Sequence, residues 1–265
     1  MKEPGADGEN DWVFVSDAHL TGREAGEIDA FLRFLESQRK GMGRLVILGD
    51  LFEFLFGFQC PSGSGGPLRR EETFPFPEYL PVFETLRQYI REGVRIAYLE
   101  GNHDFFLRSI FQDWFQCDVE VYPDEWETQI GESRAFLAHG DLTNPGQWKY
   151  RLYRRLIKNR VTYHLIQRIG PAKVRRIARR MNSESHQRYH RSRGEGEPSS
   201  FRSFAHRQFV KGFDRVILGH SHFPEKMEAS IGTRRCLYIN VGDWMTHRSY
   251  LRFSPPDRFD LTFAS

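Results

Sequence analysis

The chain has little of what staples or anchors a protein. Three cysteines stand in 265 residues, Cys60, Cys117 and Cys236, and none shares the close spacing of a metal knuckle or redox motif. That sparsity excludes a disulfide scaffold and fits a reducing compartment. No apolar run approaches the length of a membrane span. The opening stretch from Met1 to Asn10 is polar and acidic, without the apolar core of a signal peptide. No internal repeat divides the sequence, so 265 residues read as one α/β domain with room for an insertion. The expectation is a cytoplasmic globular protein with a substantial core.

What is present is unevenly spread. The net charge of +3 hides a segment from Lys149 to Arg193 that holds fifteen Lys or Arg and one acid, Glu184. Elsewhere 23 bases face 34 acids, so a basic segment sits in an acidic chain. Its pattern predicts short helices at about 147–158, 161–169 and 172–181, with Gly170-Pro171 punctuating the last two. Arg175, Arg176, Arg179 and Arg180 share one face of the third, and Val174, Ile177, Ala178 and Met181 another. A solvated charged face needs no function. Nucleic-acid binding would use the patch with Tyr150, Tyr153 and Tyr163 for stacking. An anionic membrane surface fits better, because apolar and cationic faces interleave.

Phenylalanine is frequent, at 23 residues. Phe52, Phe54, Phe56, Phe58, Phe74 and Phe76 gather around a predicted long loop from Phe54 to Pro77. They serve either core packing or an apolar groove for a lipid.

Five short segments share one chemistry: Asp17-Ala18-His19, Gly49-Asp50, Gly101-Asn102-His103-Asp104, His139-Gly140-Asp141 and Gly219-His220-Ser221-His222. Each follows a short apolar run that reads as a strand buried on both faces: Trp12 to Ser16, Leu45 to Leu48, Ile96 to Leu99, Phe136 to Ala138 and Val216 to Leu218. Loops after such strands are where α/β folds build their sites. Carboxylates, an amide oxygen and imidazoles together suit a pair of divalent cations, Mn²⁺ first and Fe²⁺ or Zn²⁺ as alternatives, with one carboxylate shared. Such a pair activates water and offsets charge on a phosphate.

In that order the segments resemble the calcineurin-like metallophosphoesterases, over about residues 12 to 245. The resemblance implies a two-sheet sandwich flanked by helices, here with a basic helical insertion at 147–200. It implies one metal on Asp17, His19 and His222, the other on Asn102, His139 and His220, and Asp50 bridging. Further stretches resemble one branch, the UDP-2,3-diacylglucosamine diphosphatases of lipid A synthesis. They are Phe31 to Leu35, Ile47 to Glu53, Gly101 to Leu107, Ile177 to Met181 with Ser183 and Ser185, and Gly242-Asp243-Trp244. His103 follows the wider superfamily where that branch carries Arg. The branch implies a nucleotide-linked acylated sugar as substrate and the insertion as a lid over its lipid chains, peripheral on the inner face of the cytoplasmic membrane. A soluble phosphodiesterase acting on nucleic acid or a small nucleotide is the alternative. His103 is expected to protonate the leaving oxygen or stabilise the developing charge, with Asp104 orienting its imidazole. Asn102, His103, Arg179, Arg180 and Ser185 are the expected substrate contacts, and Asp141 an orienting group.

Overall fold

A computed structural model describes residues 10–24, 26–61, 72–177 and 197–264. Two sheets carry the architecture. The first has six strands in the order β13 (Arg258–Phe263), β12 (Ser249–Ser254), β1 (Asp11–Val15), β2 (Met42–Ile47), β4 (Arg95–Leu99) and β6 (Val119–Tyr122). The second has five: β10 (Glu225–Ile231), β11 (Arg234–Asn240), β9 (Arg215–Leu218), β8 (Ser133–Ala138) and β7 (Glu125–Ile130). Two short strands, β3 (Leu55–Phe56) and β5 (Asp104–Phe105), pair separately.

The apolar runs alternate between two cores. Val13, Val15, Leu45 and Ile47 face α1 (Glu27–Gln38) and α2 (Leu80–Arg91). Trp12, Phe14, Val46 and Leu48 face the second sheet, against Leu137, Ile217 and Ile239. The second sheet's outer side is covered by α5 (Glu197–Val210) through Phe201, Ala205 and Phe209. Burial on both faces is why these strands read as unbroken apolar runs. The result is the expected sandwich of two sheets flanked by helices.

Topology then collects the ligand-bearing loops. β1, β2, β4 and β6 run parallel, as do β8, β9 and β11. Parallel strands end on the same side, so the loops after β1, β2, β4, β8, β9 and β11 crowd one edge of the sandwich.

Two features differ from the sequence reading, and a third decides between its two alternatives. β6 and β10 were not anticipated: β6 is four residues long, and β10 is a half-buried edge strand rich in charge. The predicted loop from Phe54 holds β3, whose pairing with β5 is long-range. Of the clustered phenylalanines, Phe52, Phe56, Phe58, Phe74 and Phe76 are buried in the helix-side core. They stack mainly on one another, Tyr79, Phe83 and Trp114, which makes them packing residues.

The basic segment folds as α3 (Trp148–Ile157), α4 (Arg160–Ile169) and a helical stretch over 171–177. Asn159 caps α4, its side chain accepting from Thr162 N at 3.0 Å. Ile157, Tyr163, Ile166 and Ile169 pack on the core, whereas Trp148, Leu152, Leu156, Val161 and Leu165 are exposed. Arg175 does not belong to a free basic face: it pairs with Glu78, donates to Pro75 O at 2.6 Å and stacks on Phe76. Arg179, Arg180 and Ser185 lie outside the described residues. Among the described residues no helix is long and apolar enough to cross a membrane.

Candidate metal centre

The loop after β1 carries Asp17 and His19, that after β2 Asp50, that after β4 Asn102 and His103, that after β8 His139, and that after β9 His220 and His222. The backbone there is strained. Asp17, His19, Asp50, His220 and His222 all have positive φ, between 45° and 65°. Each such residue costs on the order of 1–3 kcal/mol and persists only where its surroundings over-determine it. Close approach demands glycine beside them: a Cβ on Gly101 would lie 2.0 Å from Asp50 Oδ1, and one on Gly219 1.9 Å from Ser16 Oγ.

The side chains meet in two adjoining clusters. In the first, Asp17 Oδ1 lies 3.3 Å from His222 Nε2 and 3.8 Å from His19 Nε2. In the second, His139 Nε2 lies 3.0 Å from both Asn102 Oδ1 and His220 Nδ1. Asp50 Oδ2 stands between them, 3.3 Å from His139 Nε2 and 3.9 Å from His19 Nε2. His139 Nδ1 donates to Leu48 O at 2.7 Å, which turns the Nε2 lone pair toward the other ligand atoms.

The spacings of 3.0–3.3 Å fit a bound cation, and the two from His19 Nε2, at 3.8 and 3.9 Å, are slightly wider. Donors held about 2.0–2.2 Å from one ion sit roughly 3.0–3.5 Å from each other. Asp17 Oδ1 and His19 Nε2 are buried without a hydrogen bond, a costly arrangement unless a cation meets them. The charge balance agrees. Burial opposes the charge on Asp17, yet His222 and His19 outweigh it and hold its pKa well below the usual carboxylate range. Burial is likewise overcome at Asp50, by His139 and His103. Burial alone would lower the histidines. Asp17, Glu53 and Asp50 instead hold His19 well above its ordinary value, Asp50 pushes His139 up to about 10, and Asp17 takes His222 up to about 9. The buried carboxylates thus demand positive charge, and such protons are what a ligand set gives up on taking a divalent cation. His220, beside His139 and buried, is brought down to about 4.

Asp104 does not orient His103, contrary to the sequence expectation. Its Oδ1 accepts from the backbone N–H of Asp50 and Gly101, both at 3.0 Å. Its Oδ2 accepts from Leu51 N and from the Tyr98 hydroxyl. Asp104 therefore splices the Asp50 loop to the Asn102 loop. The carboxylate is buried, and its hydrogen bonds go to these four donors rather than to the imidazole. His103 Nδ1 contacts Glu53 O at 2.9 Å instead, and His103 N donates to Asp50 Oδ1 at 2.8 Å. Burial lowers the pKa of His103. Asp141 accepts from Tyr150 Oη at 2.8 Å and pairs with Arg154 Nε at 2.6 Å, tying α3 to the loop of His139.

Two residues escaped the sequence reading of the site. Glu53 Oε2 lies 3.3 Å from His19 Nδ1, and Asp243 Oδ2 lies 3.4 Å from His222 Nδ1. Glu53 stands three residues after Asp50, and Asp243 lies in a loop after β11, parallel to β9. Both lie in stretches that carry the branch resemblance, Ile47 to Glu53 and Gly242-Asp243-Trp244, but an acid close behind a strand end is too common to single out as a site residue.

Comparison with known proteins agrees with this geometry. The family model described as calcineurin-like phosphoesterase matches residues 12–224. A UDP-2,3-diacylglucosamine hydrolase of Edwardsiella ictaluri is 30% identical over 248 residues, covering 91% of this chain and 87% of the relative. The protein of the same name from Stenotrophomonas maltophilia is 28% identical over 247 residues, covering 91% and 93%. That of Xanthomonas campestris pv. campestris is 27% identical over 250 residues, covering 91% and 94%.

Proposed function

The chain belongs to the calcineurin-like phosphoesterase family, and from that premise we propose a metal-dependent hydrolase of the UDP-2,3-diacylglucosamine type. It cleaves the pyrophosphate bond of a nucleotide-linked acylated sugar, releasing a nucleoside monophosphate and a lipid–sugar phosphate. The chemistry is carried by one observation: seven ligand side chains from five distant loops gather into two clusters around one shared carboxylate. The substrate class is supported by relatives that align over nine-tenths of the chain.

In this reading Asp17, His19 and His222 hold one divalent cation, Asn102, His139 and His220 the other, and Asp50 bridges. Mn²⁺ suits the mixed imidazole, carboxylate and amide set. The cations, when bound, polarise the phosphate and the attacking water. A water oxygen bonds to phosphorus while the bridging P–O bond breaks, and the leaving phosphate oxygen keeps the electron pair. His103 donates Nδ1–H to Glu53 O, which leaves Nε2 for the reaction. Because burial lowers its pKa, Nε2 is unprotonated at rest, takes up the proton released by the attacking water and passes it to that oxygen. Asp104 keeps the Asp50 and Asn102 loops in register.

The insertion at 147–200 serves as lid and membrane contact. Trp148, Leu152 and Leu156 recur every fourth residue of α3, all exposed, with Lys149, Arg151 and Arg155 exposed between them. Val161, Leu165 and Arg160 continue the pattern on α4. An apolar stripe flanked by cations is what binds anionic lipid surfaces. Arg179, Arg180 and Ser185 are proposed to contact the substrate from the same insertion.

The test is direct. Purified protein with Mn²⁺ and UDP-2,3-diacylglucosamine should yield UMP and the diacylglucosamine phosphate by mass spectrometry. Turnover of a dinucleotide or single-stranded nucleic acid, with the lipid substrate untouched, would replace this reading with the soluble phosphodiesterase.

A further inference from the structure

The two clusters are backed differently, and the difference has a functional consequence. On the Asp17 side, both imidazoles turn Nε2 toward the centre and Nδ1 toward a carboxylate. His19 Nδ1 meets Glu53 Oε2 at 3.3 Å and His222 Nδ1 meets Asp243 Oδ2 at 3.4 Å. Both acids are largely buried. Asp243 is also held rigidly: Oδ1 accepts from His247 N at 2.8 Å and Thr246 N at 3.2 Å, and contacts His247 Nδ1 at 3.0 Å. Its loop is tied to the ligand loop by Trp244 N donating to Asp17 O at 3.2 Å.

Across Asp50 the support is weaker in charge. His139 Nδ1 donates to the neutral carbonyl of Leu48, and His220 has the Phe201 ring stacked beside it at 6.5 Å. Asn102 contributes an uncharged amide oxygen, and Asp141 is already paired with Arg154.

A carboxylate behind an imidazole fixes its tautomer, raises its basicity and adds negative potential at the metal position. Such partners are typically worth 10- to 100-fold in metal affinity. Resting on the two-cation reading above, we infer that the Asp17–His19–His222 site is the tighter of the two and fills first, and that Asp243 and Glu53 are the positioning residues that make it so. The Asn102–His139–His220 site is then the one that exchanges its ion with solution.

Mn²⁺ titration of the full-length apoprotein, followed by electron paramagnetic resonance of free Mn²⁺ and by calorimetry, resolves the classes. The wild type should show two steps. Asp243→Asn should weaken the first by roughly 10- to 100-fold and leave the second in place. Glu53→Gln should act on the same step and provides the reading if Asp243→Asn fails to fold. Asn102→Ala should weaken only the second. Two equal sites, or an Asp243 or Glu53 variant that shifts the second step, would overturn the inference while leaving a two-cation enzyme standing. No Mn²⁺ uptake at all would remove both.

Discussion

The loops at the sandwich edge and the basic helices beside them are built on opposite plans. At the loops, charge is inside: Asp17, Asp50, Asp104 and His139 are all buried, pinned by backbone donors and by one another. On α3 and α4 one apolar stripe is outside: Trp148 is 63% exposed, Leu156 60% and Val161 78%. Arg154 of α3 and Lys158 at its end point the other way. Arg154 pairs with Asp141 and Asp124, and Lys158 with Glu100 at 3.5 Å. Glu100 directly precedes the Asn102 loop and Asp141 directly follows His139-Gly140. The difference teaches that the helices are fastened to the loops of the candidate centre by charge and leave an apolar stripe exposed.

Four experiments would break or sharpen that contrast. The largest effect belongs to the shared carboxylate. Asp50→Ala should leave both clusters without their common ligand and abolish turnover, whereas the exposed Asp118→Ala should leave it unchanged. Metal content by inductively coupled plasma spectrometry, together with kcat, checks this. A fully active Asp50 variant would dismiss the two-cation centre.

Next is His103→Ala, which should lower kcat by roughly 10²- to 10⁴-fold with metal content retained. The loss should shrink for phosphoesters with good leaving groups, which need no proton. An equal loss across leaving groups would reduce His103 to a positional role.

The stripe on α3 should matter less, and only for lipid. Trp148→Ser, Leu152→Ser and Leu156→Ser together should weaken binding to anionic vesicles by at least about tenfold, from the apolar area no longer buried in the interface. KM for the acylated substrate should rise, while hydrolysis of a small soluble diester stays as it was. Unchanged vesicle binding, with a lost affinity for single-stranded RNA instead, would turn the patch into a nucleic-acid surface.

The fastening between the regions should register mainly in stability. Arg154→Met leaves the buried Asp141 without its ionic partner, at about 1–3 kcal/mol. That corresponds to a drop of a few degrees in Tm for a chain of this size, read by calorimetry. Exchange of α3 amides with deuterium should accelerate more than that of β8. Uniform acceleration would mean that helices and sandwich unfold as one unit.

Much of this was legible in the chain itself. Trp12 to Ser16 and Leu45 to Leu48 are unbroken apolar runs because sheet and helix cover both of their faces, and each ends at a chemically distinctive ligand. Strand identity and ligand identity are local properties, carried by adjacent residues. β10 was not legible, because an edge strand reading Glu-Lys-Met-Glu resembles a surface loop until β11 pairs with it.

The sequence by itself determined the inventory: which side chains can bind a cation, that the apolar runs before them are strands, and that one stretch is basic. Only the tertiary structure decided how they are used. Asp104 became a splice between loops because Asp50 N and Leu51 N, more than fifty residues away in sequence, reach its carboxylate. The phenylalanines after Asp50 became core because α2 and the 110–115 turn close over them. Asp243 came to back His222 because β11 lies beside β9, and Arg175 was taken by Glu78 across 97 residues of chain. Such partnerships depend on distances that chain order does not encode, since strands far apart in sequence are brought side by side only when the sheets pair and pack.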